Sequence, residues 1–319
     1  MRKPRQSTVF RSAAATIGAA LAAVTLTACG SSPDADGPLR VVASTNVWGS
    51  VAQAVAGDRL EVTSIVTEPS ADPHSYEASP SDAARISDAD LVVLNGGGYD
   101  QFVEDVLDST GAKPTVDAFD LYEERTGTHA AESDEEHAGH SHGAANEHVW
   151  YDMPTVDATA NAIAEQLGKL DPDGADVYTR NAETFRDRLR GVSETTAAIA
   201  AAHRDAPVAQ TEPIAYYLLE AAKLKDLTPP AFTGAVENGT DPSPASIAET
   251  RQLFSDKKVR VLVYNAQTED KVTESIRQNA EAAGTPVVEV TETLPEGMDF
   301  VQWQTRTAQT LADALNGAS

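Results

Sequence analysis

Imidazole nitrogens and carboxylate oxygens are the donors that divalent transition metals take in proteins, and this chain concentrates both. Five of its seven histidines lie between Thr128 and Asp152, in THAAESDEEHAGHSHGAANEHVWYD. His129, His137, His140 and His142 stand among Glu132, Asp134, Glu135 and Glu136, in a run with no apolar periodicity. Such a run cannot pack, and fixing it around an ion costs the conformational entropy of each residue tied down. These four therefore suit weak, transient capture of a borderline metal rather than a fixed geometry. The plain alternative is a solvated tract without a role. His148 differs from them, because Val149 and Trp150 follow it and mark where the tract rejoins the folded body.

Three further residues are placed where ligands occur. His74 lies in TEPSADPHSYEASPSD, a Pro-containing loop after a strand, and loops at strand ends carry binding residues in α/β folds. Glu212, in AQTEPIAYYLL, and Glu292, in VVEVTETLPEG, also sit at strand ends. Taken singly, each is either an ordinary solvated group or a ligand facing a crevice. Hydrolytic zinc chemistry would need an open coordination position and a general base. The chain has no His-Glu-x-x-His, no Gly-x-Ser-x-Gly and no cysteine beyond Cys29, so these residues are those of a binder and not an enzyme. LNGGGYD lacks the Gly-Lys-Ser/Thr end of a phosphate loop and the spacing of a dinucleotide site, and reads as a tight turn.

The elements that must position these side chains alternate in type. LRVVAST, LEVTSIV, DLVVLN and PTVDAF read as strands; VWGSVAQAVAG, SPSDAARISDA and YDQFVEDVLDST read as the helices between them. The His-rich loop, 123–147, interrupts the series as a disordered insertion, and VDATANAIAEQLGKL restores a helix. A long helix follows over 173–204, with anchors at Val177, Tyr178, Phe185, Leu189, Val192 and Ile199. The alternation then restarts: PVAQTE, VRVLVYN and PVVEVTE as strands, PPAFTGAV as an extended segment, and four helices ending in FVQWQTRTAQTLADAL. Strand–helix alternation predicts parallel sheets with crossover helices. The expected fold is α/β: an N-terminal lobe over 39–172, one long rigid helix as a strut, and a C-terminal lobe over 205–319.

Charge and leader narrow the class. A net charge of −25 on 319 residues argues against nucleic-acid binding, which needs basic patches for phosphate. Arg2, Lys3, Arg5 and Arg11, then the small apolar run Ala13–Thr27, read as a signal peptide over residues 1–28. Leu26-Thr27-Ala28-Cys29 resembles a bacterial lipobox with Cys29 as the lipidated residue, and 29–38 reads as a flexible tether.

The order of ADPHSYEASPSD, the His-rich insert, EHVWYDM, the long helix, TEP…YYL and VTETLPEG resembles the zinc/manganese solute-binding lipoproteins of ABC transporters, the cluster A-I or ZnuA-like family, across residues 39–319. The resemblance implies a metal site of His74, His148, Glu212 and Glu292, two ligands from each lobe, with Tyr217 matching a family aromatic. It implies capture of Zn2+, with Mn2+ as the alternative because a glutamate at 212 resembles the manganese-type arrangement. It further implies a monomer, lipid-anchored to the outer face of the bacterial cell membrane, that delivers the ion to a permease with a cytoplasmic ATPase. A His-rich metal buffer and an adhesin are the other roles weighed. Ligand protonation is expected to weaken binding as pH falls towards about 6.5, the value of a free imidazole.

Overall fold

Runs of β-branched residues with no polar face make strands that need cover on both sides. Val41–Thr45 (β1) is buried at every position, and Leu91–Leu94 (β3) likewise. The computed structural model describes residues 38–68, 71–128 and 146–318. Cys29, the leader and the tether up to residue 37, and His129, His137, His140 and His142 all lie outside the described residues.

β1 and β3 pair in parallel with each other, flanked by Val62–Val66 (β2) and Thr115–Asp117 (β4), in the order β2-β1-β3-β4. The helices Asn46–Ala56 (α1), Pro80–Asp88 (α2), Gln101–Thr110 (α3), Ala118–Thr126 (α4) and Met153–Leu170 (α5) belong to this half. After Ala175–His203 (α6) comes a second parallel sheet, built from Pro207–Gln210 (β5), Lys225–Asp226 (β6), Leu262–Asn265 (β7) and Val287–Val290 (β8). Its order, β6-β5-β7-β8, repeats the first. Tyr216–Ala221 (α7), Pro230–Glu237 (α8), Pro244–Ser255 (α9), Lys271–Ala282 (α10) and Phe300–Gly317 (α11) surround it. In both sheets the strand order reverses beside the first strand, which is where open α/β sheets bind ligands at their carboxyl ends.

Period-2 alternation sorts each strand's side chains onto two faces. Val42 and Val92 face an outer core with Ile65, Ile86 and Phe102. Leu262 and Tyr264 face another with Phe232, Phe254 and Ile276. Val41 and Val93 of the first sheet and Val208 and Val263 of the second instead share one continuous apolar cluster. Phe185 and Leu189 of α6 and Leu311 of α11 lie in that cluster too. The long helix expected between the lobes is α6, 29 residues long, and it packs against α1, α5, α7 and α11. It starts at Ala175, after a 3-10 turn over Pro172–Gly174.

Three expectations need correction. The insert was expected to begin at 123, but α4 continues to Thr126, closed by Gly127 in the left-handed region. The segment expected to be extended, around Pro230–Glu237, is the helix α8; proline at its first position supplies a preset φ where a missing N–H costs nothing. The helix expected after Glu212 is shorter, a 3-10 turn followed by the six residues of α7.

Asp117 caps α4 by accepting the Asp120 N–H at 3.0 Å, and burial pushes its carboxyl up to about 7. A folded value above the unfolded one, about 3.9, gives stability present at low pH and lost as pH rises through about 7. Asp117→Asn keeps an acceptor for the cap. It is expected to raise Tm by about 2–4 °C at pH 8, the shift made by about 1 kcal/mol in a chain of this size, and by less at pH 5. A thermal melt showing equal gains at both pH values would contradict this.

Candidate metal centre

His74 is held by its own loop. Asp72 accepts the His74 N–H at 2.9 Å and the Ser75 hydroxyl at 3.0 Å, shaping a 3-10 turn over Pro73–Ser75. Beyond it, Ser79 and Asp82 form the capping box of α2, and Tyr76 donates to Asp82 at 3.0 Å. Burial works to raise the Asp82 carboxyl, but hydrogen bonds from Ser79 and Tyr76 and the Arg85 charge outweigh it, and its pKa falls below the ordinary value. The motif ADPHSYEASPSD is therefore mostly scaffold, a locked loop that carries one imidazole.

His148 is 1% exposed. Burial first, and then the neighbouring His74, hold its imidazole well below the usual pKa, so it is neutral. Asn146 sets its tautomer. The Asn146 Nδ2 donates to the Pro213 carbonyl at 3.0 Å, so Oδ1 faces the other way and meets both His148 N and His148 Nδ1 at 3.0 Å. The ring proton belongs on Nδ1, which leaves Nε2 with a free lone pair, as in most imidazoles that ligate metals. Tyr217, expected only as a family match, donates its hydroxyl to the Asn146 carbonyl at 2.6 Å and so clamps this segment to the second lobe.

Glu212 follows β5 and Glu292 follows β8; they are 2% and 1% exposed. Burial, then the Glu292 charge, push the Glu212 carboxyl well above its ordinary pKa. Burial raises Glu292 too, with His74 opposing. Asn265, at the end of β7, donates through Nδ2 to both carboxylates, at 2.8 Å to Glu292 and more closely to Glu212. Tyr99 donates to Glu292 Oε2 at 3.2 Å.

Of the four residues expected from sequence, His74 stands beside both His148 and Glu292. The His74 and His148 rings are 5.8 Å apart, and His74 Nε2 is 4.0 Å from Glu292 Oε2. Two donors bound to one zinc at about 2.1 Å stand roughly 3–4 Å apart, so this spacing admits an ion with little movement. Glu212 joins through Asn265. The donor atoms of His74, Glu147 and His148 lie within 4.8 Å of one another, as do those of Asp72, His74 and Glu292. A cavity of about 300 Å³, lined by Asp72, His74, Glu212 and Glu237 among others, opens beside them, and no Lys or Arg lines it.

Sequence reasoning passed over Asp72, Tyr99, Asn146, Glu147, Glu237, Asn265 and Gln267. Tyr99 had a signal: Gly96, Gly97 and Gly98 all have positive φ, and a Cβ at Gly96 would strike the Asp117 carboxylate. The expected tight turn is therefore real, and it aims Tyr99 at His74, 4.7 Å between ring centres. Asn265, a polar residue closing an apolar strand, had the same signal as Glu212. Glu237 lies on the helix expected to be extended; its carboxylate is 4.0 Å from His148 Nδ1, and burial, then Glu147 and Glu292, raise its pKa to about 8. His203 is elsewhere, bonded to Asn316 at 2.8 Å.

Two parallel-sheet lobes, with His74, His148 and two buried carboxylates near one another between them, have the architecture of a two-lobed solute-binding protein. The sequence model of the periplasmic zinc-uptake complex component A, ZnuA, matches residues 41–314, and the chain belongs to that family of metal ABC transporter substrate-binding proteins. The manganese-binding lipoprotein MntA of Halalkalibacterium halodurans is 33% identical over 171 residues, 52% of this chain and 50% of that protein. The zinc-binding lipoprotein AdcA of Streptococcus pneumoniae is 25% identical over 287 residues, 87% of this chain and 55% of that one. The chain thus spans about half the length of the curated relatives it matches. Among solved structures, the periplasmic zinc-binding protein TroA of Treponema pallidum aligns with a TM-score of 0.71 at 17% identity, covering 88% of this chain and 99% of that one. The Mn2+ complex of FpvC from Pseudomonas aeruginosa aligns at 0.69 and 24%, covering 89% and 100%. Both establish the fold.

Proposed function

We propose that the chain captures one divalent metal ion between its lobes, through His74, His148, Glu212 and Glu292, and hands it to the membrane permease of an ABC importer served by a cytoplasmic ATPase. It does so as a monomer held to the outer face of the cell membrane through lipid on Cys29. The observation that supports this best is that His74 stands within reach of both His148 and Glu292, while Asn265 ties Glu212 to Glu292. Two negative charges balance a divalent cation, and the buried Glu212 and Glu292 hold theirs away from water. The cargo we favour is zinc, since imidazole suits it and intrinsic affinity places it above manganese. A specific feature keeps manganese as the second reading: Asp72, Glu147 and Glu237 surround the four donors with further carboxylates, and hard oxygen donors at higher coordination number suit that ion.

The test uses metal-free protein beginning at residue 30, titrated with zinc and with manganese against a competing chelator, with bound ions counted by elemental analysis. Deleting 128–145 is expected to leave one tight ion per chain, with Kd changed by less than about threefold, because weak loop donors add little to a preorganised site. Loss of tight binding with the loop would instead make the protein a His-rich buffer.

A further inference from the structure

At the end of β7, the turn Asn265-Ala266-Gln267 bonds to Glu212, to Glu292 and to the loop that carries His74. Asn265 is fully buried. Its backbone N–H donates to the Thr211 hydroxyl at 3.0 Å, next to Glu212, and its Oδ1 accepts the Gln267 N–H at 3.0 Å. Those bonds fix the amide orientation, so the two Nδ2 protons can point only at the carboxylates of Glu212 and Glu292. An acid at this position would set a third buried carboxylate against the pair; the amide instead supplies two donors and no charge.

Gln267 continues the chain of contacts across the cleft. Its Oε1 accepts the backbone N–H groups of Glu292 and, at 3.3 Å, Thr293. Its Nε2 donates at 2.9 Å to the carbonyl of Ala71, one residue before Asp72 in the loop that carries His74, and at 3.1 Å to Thr293 Oγ1. One side chain therefore grips the Glu292 segment with its oxygen and the His74 loop of the other lobe with its nitrogen.

Resting on the four-ligand site proposed above, we propose that Asn265 and Gln267 are positioning residues for the cargo ion. Asn265 spaces the Glu212 and Glu292 carboxylates as one pair, and Gln267 sets that pair in register with His74 before the ion arrives. Preorganisation of this kind raises affinity by removing ordering cost at the moment of binding, and hydrogen-bond partners of metal ligands commonly control it by 10- to 100-fold.

The experiment compares wild type with Gln267→Glu, Asn265→Asp and Asn265→Ala, and with the ligand variants His74→Ala and Glu292→Gln, in the full folded region beginning at residue 38. Gln267→Glu is isosteric and keeps the acceptor for Glu292 while losing the donor to Ala71, so it tests the cross-cleft bond even if the buried Asn265 variants fold poorly. Zinc and manganese affinities, the visible absorption bands of the Co2+-loaded protein and the Tm of the metal-free form are read for each. The expected result is a loss of about 10- to 100-fold in affinity for Gln267→Glu, with shifted Co2+ bands reporting altered donor geometry. Unchanged bands and affinity within about twofold of wild type, with only Tm lowered, would make these residues merely structural and overturn the proposal. If His74→Ala and Glu292→Gln also left binding intact, the four-ligand site itself would fall.

Discussion

His74→Ala is expected to weaken zinc binding by about 100- to 1000-fold while the metal-free protein keeps its Tm within a few degrees. A structural zinc site is worth about 10–16 kcal/mol; shared among four ligands, one contributes about 3–4 kcal/mol, and each 1.4 kcal/mol is tenfold. The substitution is clean, because the His74 side chain is 26% exposed and the turn around it is made by its backbone N–H and by Asp72 and Ser75, not by the ring. Chelator competition measures the affinity and a melt of the metal-free form checks the fold. A loss below tenfold would remove His74 from the ligand set. The same exchange at His148 would be harder to interpret, since that ring also fills buried space against Trp150, 5.1 Å away.

Affinity is expected to fall with acidification by up to about tenfold per pH unit for each proton displaced, and Glu212 and Glu292 are expected to be among the groups that supply those protons. The sequence alone placed the transition near the free imidazole value. His148 contributes little there, because burial lowers its pKa and it is neutral before an ion binds. Glu212 and Glu292 have theirs raised, chiefly by burial. In the metal-free protein they take up protons that the ion must expel, so affinity grows as pH rises through the raised values and saturates above them. Carboxylates raised without an ion also lower the stability of the empty protein as pH rises, and the ion restores it. Isothermal calorimetry in buffers of different ionisation enthalpy counts the protons released. Glu212→Gln and Glu292→Gln should each lower that count, and a pH profile unchanged by both would assign the titration elsewhere.

Much of the fold was legible because helix and strand announce themselves through burial period. VVA of β1 and LVVL of β3 are apolar runs without a polar face, which suit a sheet covered on both sides. Two serines offer a start for each of α2 and α9, Ser79 or Ser81 and Ser243 or Ser246, and in each the first is the one that caps. What failed was local. PPAFTGAV carries two prolines and a glycine, which read as extended, yet the second proline occupies the first position of α8 and Gly234 is tolerated within it. The two-residue β6 is too short to show a period at all. In the site, His148 stood out by its neighbours, and His74 and the carboxylates were singled out by the family resemblance. The amides that orient them were not, because Asn146, Asn265 and Gln267 act through which way an amide faces, and that is set by partners 67, 53 and 196 residues away in sequence.

The apolar cluster that runs unbroken under both sheets has a consequence for the lifetime of the protein. With Val41 and Val263 in one core, each sheet has an outer core of its own but shares the cover of its inner face with the other, and the folded region should melt in a single cooperative step. A bound ion then protects every peptide bond at once, by RT ln(1 + [ion]/Kd), not only those near the cleft. Proteases that sample the open chain would clear empty protein faster than loaded protein, by the factor the ion adds to the folding equilibrium. The population that survives in a metal-poor setting would be enriched in molecules that have already found their cargo.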